Sequence, residues 1–141
     1  MPTQELRASP EIQLSFAEYF GGVQPFVQEV QELMSHPLSD DPLVCDQQAR
    51  EAESRRTRLR EILSFADSYL DVAEWECLRT MPTRSREWTD LDRETRMGAS
   101  VSNERRFRDI LRGICEAVDS RVSYVQTRLR VFAAAEGGKF T

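Results

Sequence analysis

The chain has few of the residues and motifs on which catalytic sites depend. His36 is the only histidine, and it precedes Pro37 at the end of a helix-periodic segment. A nucleophilic triad needs a histidine held beside its nucleophile, so a helix-terminating histidine argues against that mechanism. The sequence also lacks a Gly-rich phosphate loop, a dinucleotide fingerprint and an HExxH zinc motif. We therefore expect a protein that is not an enzyme and that binds no cofactor.

Cysteine is scarce, and its spacing indicates neither disulfides nor metal. Cys45, Cys77 and Cys115 form an odd set without a CxxC pair, which argues against both a disulfide framework and a zinc site. All three lie on apolar stripes of predicted helices. We expect buried free thiols, the usual state of such cysteines.

Long apolar runs and a net basic charge are also absent. The longest uninterrupted apolar run covers residues 131–135, far short of the roughly twenty residues that a membrane span needs. The polar N-terminus lacks the apolar core of a signal peptide. A net charge of −5 disfavours nucleic acid as a partner. We expect a cytoplasmic protein that contacts neither nucleic acid nor a membrane by itself.

The main pattern in the sequence is a heptad spacing of apolar residues. Between residues 42 and 80, positions alternating in steps of four and three form a seam, which predicts one long helix packed lengthwise on other helices. Asp41 followed by Pro42 is a helix start signal. Arg56 is the polar exception in the seam, and we expect it to set register against an acid of a neighbouring helix. The seam consists of Cys45, Ala49, Ala52, Arg56, Leu59, Leu63, Ala66, Leu70, Ala73 and Cys77.

Two further segments share this periodicity. In residues 10–35, Ser9 and Pro10 provide a start signal, while Pro25 predicts either a kinked helix or two nearly collinear helices. Residues 103–136 form the last helix, which the Gly137-Gly138 pair should end. These segments predict an all-α fold, an antiparallel three-helix up-and-down bundle with coiled-coil-like packing.

The remaining stretches complete the predicted domain organisation. Residues 1–9 are expected to be a disordered arm, residues 10–136 a single domain and residues 137–141 a tail. The connection over residues 82–102 lacks a sustained period, and Thr89 is placed to cap one short helical turn after it. A connection of that length is typical of a mobile or functional segment.

Arginine clusters and two tryptophans are the candidate contact residues. Acids interrupt both arginine clusters, which favours an interdigitated acid–base surface over an anion site. Trp75 lies off the main seam, where it is either an exposed anchor or a partly buried residue. The candidate partner-binding residues are Trp75, Trp88, Arg55, Arg58, Arg105 and Arg108.

The layout also resembles a known family. Glu29-Val30-Gln31 lies in the first helix, and Leu59, Ile62 and Leu70-Asp71 lie in the run that ends at Met81-Pro82. Trp88-x-x-Leu91-Asp92 precedes Arg106-Phe107 at the start of the last helix. In these features the chain is similar to the N-terminal three-helix (Habc) domains of syntaxin-type SNARE proteins, most of all those of the Golgi and endosomal branch.

The resemblance implies regulation of vesicle trafficking on the cytosolic face of Golgi or endosomal membranes. Such a domain binds a tethering factor or folds back on a SNARE helix, and it catalyses nothing. The alternative is a helical structural or assembly adaptor that forms homodimers through its heptad faces. In both cases the partners are other proteins, bound through helical surfaces.

Overall fold

The computed structural model describes residues 14–80 and 90–139, and every regular element in these ranges is an α-helix. The all-α prediction is therefore confirmed for the described residues. These residues divide into two compact units. The first unit holds the residues up to Val23 and Ile62–Leu111, and the second holds Gln24–Glu61 and the residues from Arg112 onward. The helices are α1 (Phe16–Ser35), α2 (Pro42–Ser54), α3 (Arg56–Thr80), α4 (Asp90–Ser100) and α5 (Ser102–Lys139).

Helix α1 begins later than the sequence analysis predicts. Leu14 and Ser15 are not helical, so the prediction of a helix continuous from residue 10 is wrong at these positions, and the predicted Ser9 cap lies outside the described residues. Ser15 Oγ accepts a hydrogen bond from the Glu18 amide at 3.1 Å and donates to the Glu18 carboxylate at 2.9 Å. Ser15-x-x-Glu18 is the spacing of a capping box, which satisfies amide groups that a helix start leaves unpaired. The true start signal was therefore present in the sequence.

Pro25 does not divide α1. The helix continues through Gly21, Gly22 and Pro25 to Ser35, so the alternative of two separate helices is wrong. A proline removes one helical hydrogen bond and crowds the residue one turn earlier, which here is Gly21. Gly21 and Pro25 are both exposed, so water can bond the carbonyl group that the proline leaves without a donor.

The predicted helix over residues 42–80 is interrupted at Arg55. Its start is confirmed, because Asp41 Oδ1 accepts a hydrogen bond from the Leu43 amide at 3.0 Å. Near Arg55 the carbonyl of Glu51 accepts instead from Ser54 Oγ and Arg55 Nη1, both at 2.7 Å. The Arg55 amide donates a hydrogen bond to the Ala52 carbonyl at 3.2 Å. Side-chain donors thus replace a regular backbone bond, and one helix becomes α2 and α3.

The described part of the connection, residues 90–102, is more helical than predicted. Helix α4 occupies Asp90–Ser100, so the prediction of one isolated turn is wrong; Trp88 and Thr89 lie outside the described residues. The Val101 side chain is buried. This burial gives the junction between α4 and α5 an apolar anchor.

Helix α5 also extends further than predicted, starting at Ser102 and continuing to Lys139. The expected helix stop at Gly137-Gly138 is therefore wrong. A glycine stop requires a left-handed backbone, and no described glycine has positive φ. Glycine lowers helix stability by about 1 kcal/mol relative to alanine but does not forbid the conformation.

Aromatic rings fill the core of the first unit. The Tyr19 ring centroid lies 5.5 Å from that of Phe65 and 5.2 Å from that of Tyr69. Phe107 of α5 lies 5.7 Å from Phe16 in an edge-to-face arrangement. Contacts of this kind contribute about 0.5–1.5 kcal/mol each beyond the area they bury. The aromatic cluster therefore joins the start of α1 to α3 and α5 within this unit.

The core of the second unit is aliphatic. Cys45 and Ala49 of α2 pack on Val125 of α5, with Leu38 and Leu129 against them. Cys45 and Cys115 are buried free thiols, as predicted, whereas Cys77, in the first unit, is only half-buried. Cys77 lies close to the end of α3, where exposed residues surround it in the chain.

The buried row of α3 departs from the predicted seam at Leu63, Ala73 and Cys77, which are only half-buried. Leu59, Ala66 and Leu70 are buried as predicted, but Ile62 is fully buried whereas Leu63 is only half-buried. Both residues are large and apolar, so hydrophobicity does not distinguish them. Heptad spacing alone assigns Leu63 to the seam and Ile62 to a position beside it. The observed burial reverses that assignment.

Candidate protein-interaction surface

Arg56 of α3 and Asp119 of α5 form a close ion pair between two helices of the second unit. Arg56 Nε lies 2.6 Å from Asp119 Oδ1, and Arg60 Nη2 approaches the same oxygen at 3.4 Å. The prediction that Arg56 pairs with an acid of a neighbouring helix is thus confirmed. The hydrogen bond from Arg56 lowers the pKa of Asp119 below its ordinary value, and the charges of Arg56 and Arg60 act in the same direction.

The surroundings of this ion pair do not resemble a catalytic site. Arg56, Arg60 and Asp119 line a depression with Leu59, Cys115 and Val118 that is too small to hold a water molecule. Burial raises the pKa of the Cys115 thiol, and the charge of Asp119 adds to this effect. A raised pKa lowers the thiolate fraction, on which cysteine reactivity depends. The ion pair therefore serves packing and register.

The four candidate arginines all form ion pairs inside the molecule. In the second unit, Arg55 contacts Glu29 at 2.9 Å and Arg58 contacts Glu61 at 2.6 Å. In the first unit, Arg105 contacts Glu74 at 3.2 Å and Arg108 contacts Asp109 at 3.0 Å. Each guanidinium thus has an acid beside it, as the interdigitated acid–base interpretation expects. Their role in partner binding stays a prediction.

Two further arginines of α5 hold the end of α1 and the segment after it. Arg121 donates to the carbonyls of Leu33 at 3.4 Å, Met34 at 3.2 Å and His36 at 2.7 Å. The last carbonyls of a helix lack backbone donors, so Arg121 supplies the missing cap. Arg128 donates to the Ser39 carbonyl at 3.2 Å. Neither residue was predicted from the sequence, although residues 103–136 hold more arginines than acids.

Trp75 lies in an exposed apolar strip near the end of α3. We call Val72, Trp75 and Leu78 the Trp75 strip; the three side chains are 40%, 58% and 44% exposed. Arg79 lies over the Trp75 ring with its guanidinium carbon 5.3 Å from the centroid, and it also pairs with Glu76 at 2.7 Å. Tryptophan and arginine are enriched among residues that dominate binding energy at protein interfaces. Trp75 is therefore exposed, and its role as an anchor for a partner stays a prediction.

A second exposed row lies on α5 within the second unit. It was not singled out from sequence because small and polar residues interrupt its apolar members. All six members are exposed and repeat the alternating steps of four and three. We call it the outer row of α5; it consists of Gly113, Ala117, Ser120, Tyr124, Thr127 and Val131.

Neither the geometry of the described residues nor comparison with known proteins identifies a functional site. In residues 14–80 and 90–139, no group of three metal-ligating side chains comes together. Over the same part of the chain, no helix has a stretch both long and apolar enough to cross a membrane. The chain matches no protein-family model, no curated protein and no solved structure.

Proposed function

We propose that this chain is a protein–protein interaction domain without catalytic activity. The observation that carries the proposal is the Trp75 strip, which leaves a tryptophan and two aliphatic side chains in solvent on one helix. Contiguous exposed apolar residues beside charged ones are typical of contact sites. Each of the four candidate arginines already forms an ion pair with an acidic residue. This favours a partner bound through apolar contacts over an anionic partner.

We further propose that this chain is the regulatory N-terminal domain of a syntaxin-type SNARE. It rests on the resemblance of the motifs in the predicted helices, and the fold proposed with it is the antiparallel three-helix bundle with coiled-coil-like packing. In that role the domain binds a tethering factor or a SNARE helix on the cytosolic face of Golgi or endosomal membranes.

The coding sequence downstream of Thr141 provides the first test of the SNARE assignment. A SNARE requires a further heptad segment with a central glutamine, followed by about twenty apolar residues that anchor it. An open reading frame that continues without such a segment would contradict the assignment, while the broader proposal of a contact domain would stand.

Proximity labelling in cells tests the contact surface itself. We expect the tagged protein to label SNARE or tethering proteins, and Trp75→Ala to reduce that labelling. Leu91→Ala is the matched control, because Leu91 is a similarly exposed apolar residue (71%) on α4. Equal labelling by wild type and Trp75→Ala would contradict a role for the Trp75 strip.

A second candidate function is a helical assembly adaptor that oligomerises through heptad faces. The outer row of α5 favours it, because heptad-spaced positions are exposed there instead of buried. Analytical ultracentrifugation tests it directly. A single monomeric species at every concentration would exclude this function.

A further inference from the structure

The face of α3 that carries the Trp75 strip also carries a carboxylate without a partner. Asp71 is exposed and precedes Trp75 and Leu78 by four and seven residues, so the three side chains share one face of the helix. Among the residues that the structure describes, Asp71 forms no ion pair. A partner that covers Trp75 and Leu78 therefore covers this carboxylate as well.

The arginine that follows on α3 does not neutralise Asp71. Arg79 is the only basic residue of α3 beyond Arg60, and it lies eight residues after Asp71, about 12 Å further along the helix axis. Its guanidinium pairs with Glu76 at 2.7 Å and lies over the Trp75 ring. A cation that meets Asp71 in a dry interface must therefore belong to the partner.

A second acid extends the same line along α3. Asp67 lies four residues before Asp71, is half-buried and forms no ion pair with another described residue. Residues 62–80 of α3 hold four acids and one arginine. In the described part of the chain, only Glu74 among these acids pairs with an arginine of another helix, Arg105 at 3.2 Å. The surroundings of the Trp75 strip are therefore acidic.

We propose that the partner of the Trp75 strip is a helix with an apolar stripe and with lysine or arginine residues that face Asp71 and Asp67. This inference rests on the contact function proposed above and names the chemistry of the partner. A carboxylate removed from water is costly unless a cation meets it. An acidic partner would instead place a like charge against Asp71, which disfavours binding.

The layout of these residues suits a helical partner. From Asp67 to Leu78 the face extends over about 16 Å of the α3 axis. A second helix packed alongside presents its side chains at the same three- and four-residue spacing, so one of its faces can supply cations to the acids and apolar groups to Trp75.

Two synthetic helical peptides of equal length test the charge of the partner. Both carry the same leucine stripe, flanked by lysines in one and by glutamates in the other. Trp88→Phe leaves Trp75 as the only tryptophan of the full chain, so a blue shift of its emission reports that a peptide covers it. The lysine peptide should bind roughly tenfold or more tightly than the glutamate peptide. Added salt should reduce this difference.

Charge reversal at Asp71 tests where the cation binds. In the Trp88→Phe chain, Asp71→Lys should weaken binding of the lysine peptide and strengthen binding of the glutamate peptide. Glu53→Lys is the matched control, because Glu53 is an exposed acid of α2 without an ion pair among the described residues, and its reversal changes the net charge equally. The control should keep the preference for lysine. Both positions are exposed, so circular dichroism should show unchanged helix content.

The outcomes separate this inference from the function on which it rests. Equal affinity for the two peptides, or a lysine peptide that leaves the Trp75 emission unchanged, overturns the cationic partner. The contact function then still depends on the labelling experiment with Trp75→Ala. A change in Glu53→Lys as large as that in Asp71→Lys indicates attraction to the overall charge and also overturns the inference.

Discussion

Arg56 and Asp119 lie 2.6 Å apart between Nε and Oδ1, and this contact connects α3 with α5 in the second unit. Arg56 occupies a position in the α3 seam where the other members are apolar or small. A guanidinium at such a position is tolerated because its side chain is partly exposed and an acid of the facing helix meets it. The pair therefore specifies which part of α5 lies beside this turn of α3.

Replacing Asp119 by Asn should lower the free energy of unfolding by about 1 kcal/mol. A charge-assisted hydrogen bond contributes more than a neutral one, but both side chains are partly exposed and water screens their interaction. Urea denaturation followed by circular dichroism provides the measurement. Asp109→Asn is the matched control, since Asp109 pairs only with its sequence neighbour Arg108 among the ion pairs of the described residues. A loss of stability in the control as large as that in Asp119→Asn would contradict a special role for the Arg56 contact.

The contribution of Asp119 should depend on pH in one direction. Its pKa is lowered in the folded protein, chiefly by the hydrogen bond from Arg56. A carboxyl group with a lowered folded pKa contributes stability above its unfolded pKa, about 3.9, and loses that contribution as the pH falls through the folded value. The stability difference between wild type and Asp119→Asn should be constant near neutral pH and shrink below about pH 4. A difference that grows on acidification would contradict the Arg56 pairing.

Alanine substitutions of the neighbouring residues Ile62 and Leu63 should lower the free energy of unfolding by different amounts. Ile62 is fully buried in the first unit, so Ile62→Ala should lower the free energy of unfolding by about 2–5 kcal/mol through lost burial and a cavity. Leu63 is half-buried, and Leu63→Ala should cost clearly less. Urea unfolding of the two variants at equal concentration measures the difference. A larger loss for Leu63→Ala would favour the seam predicted from sequence over the observed packing.

Arg121 should stabilise the second unit by capping α1. Arg121→Met keeps much of the side-chain volume but removes the donors to three carbonyl groups, one of them at 2.7 Å. We expect a loss of about 1–3 kcal/mol in the free energy of unfolding, because the carbonyl groups lose their charged donor. Arg112→Met is the control on the same helix, since Arg112 is exposed. Equal unfolding curves for the two variants would show that the cap contributes little.

The helices that carry a strong local signal could be predicted from the sequence. The apolar spacing gave most of the buried positions of α1, α3 and α5, and Asp41-Pro42 gave the start of α2. Register in α3 was predicted only approximately, because Ile62 and Leu63 are interchangeable in an apolar pattern and differ only in what they contact. The Arg56 pairing was predictable because a lone charge in a seam requires an acid opposite it.

Features that depend on competing hydrogen bonds could not be predicted. The break at Arg55 arises because two side-chain donors take the Glu51 carbonyl, and nothing in the apolar spacing reveals that choice. The Arg121 cap joins residues far apart in the chain, so no local motif marks it. The Trp75 strip was partly foreseen, since Trp75 lies off the seam, but its exposure depends on which helices pack against α3.

A single guanidinium, that of Arg121, closes the carbonyl end of α1 from the middle of α5. If either region opens, these hydrogen bonds are lost, so their free energy adds to the cost of opening either region. Amide hydrogens in the last turn of α1 should therefore exchange with solvent more slowly than those at helix ends that only water covers.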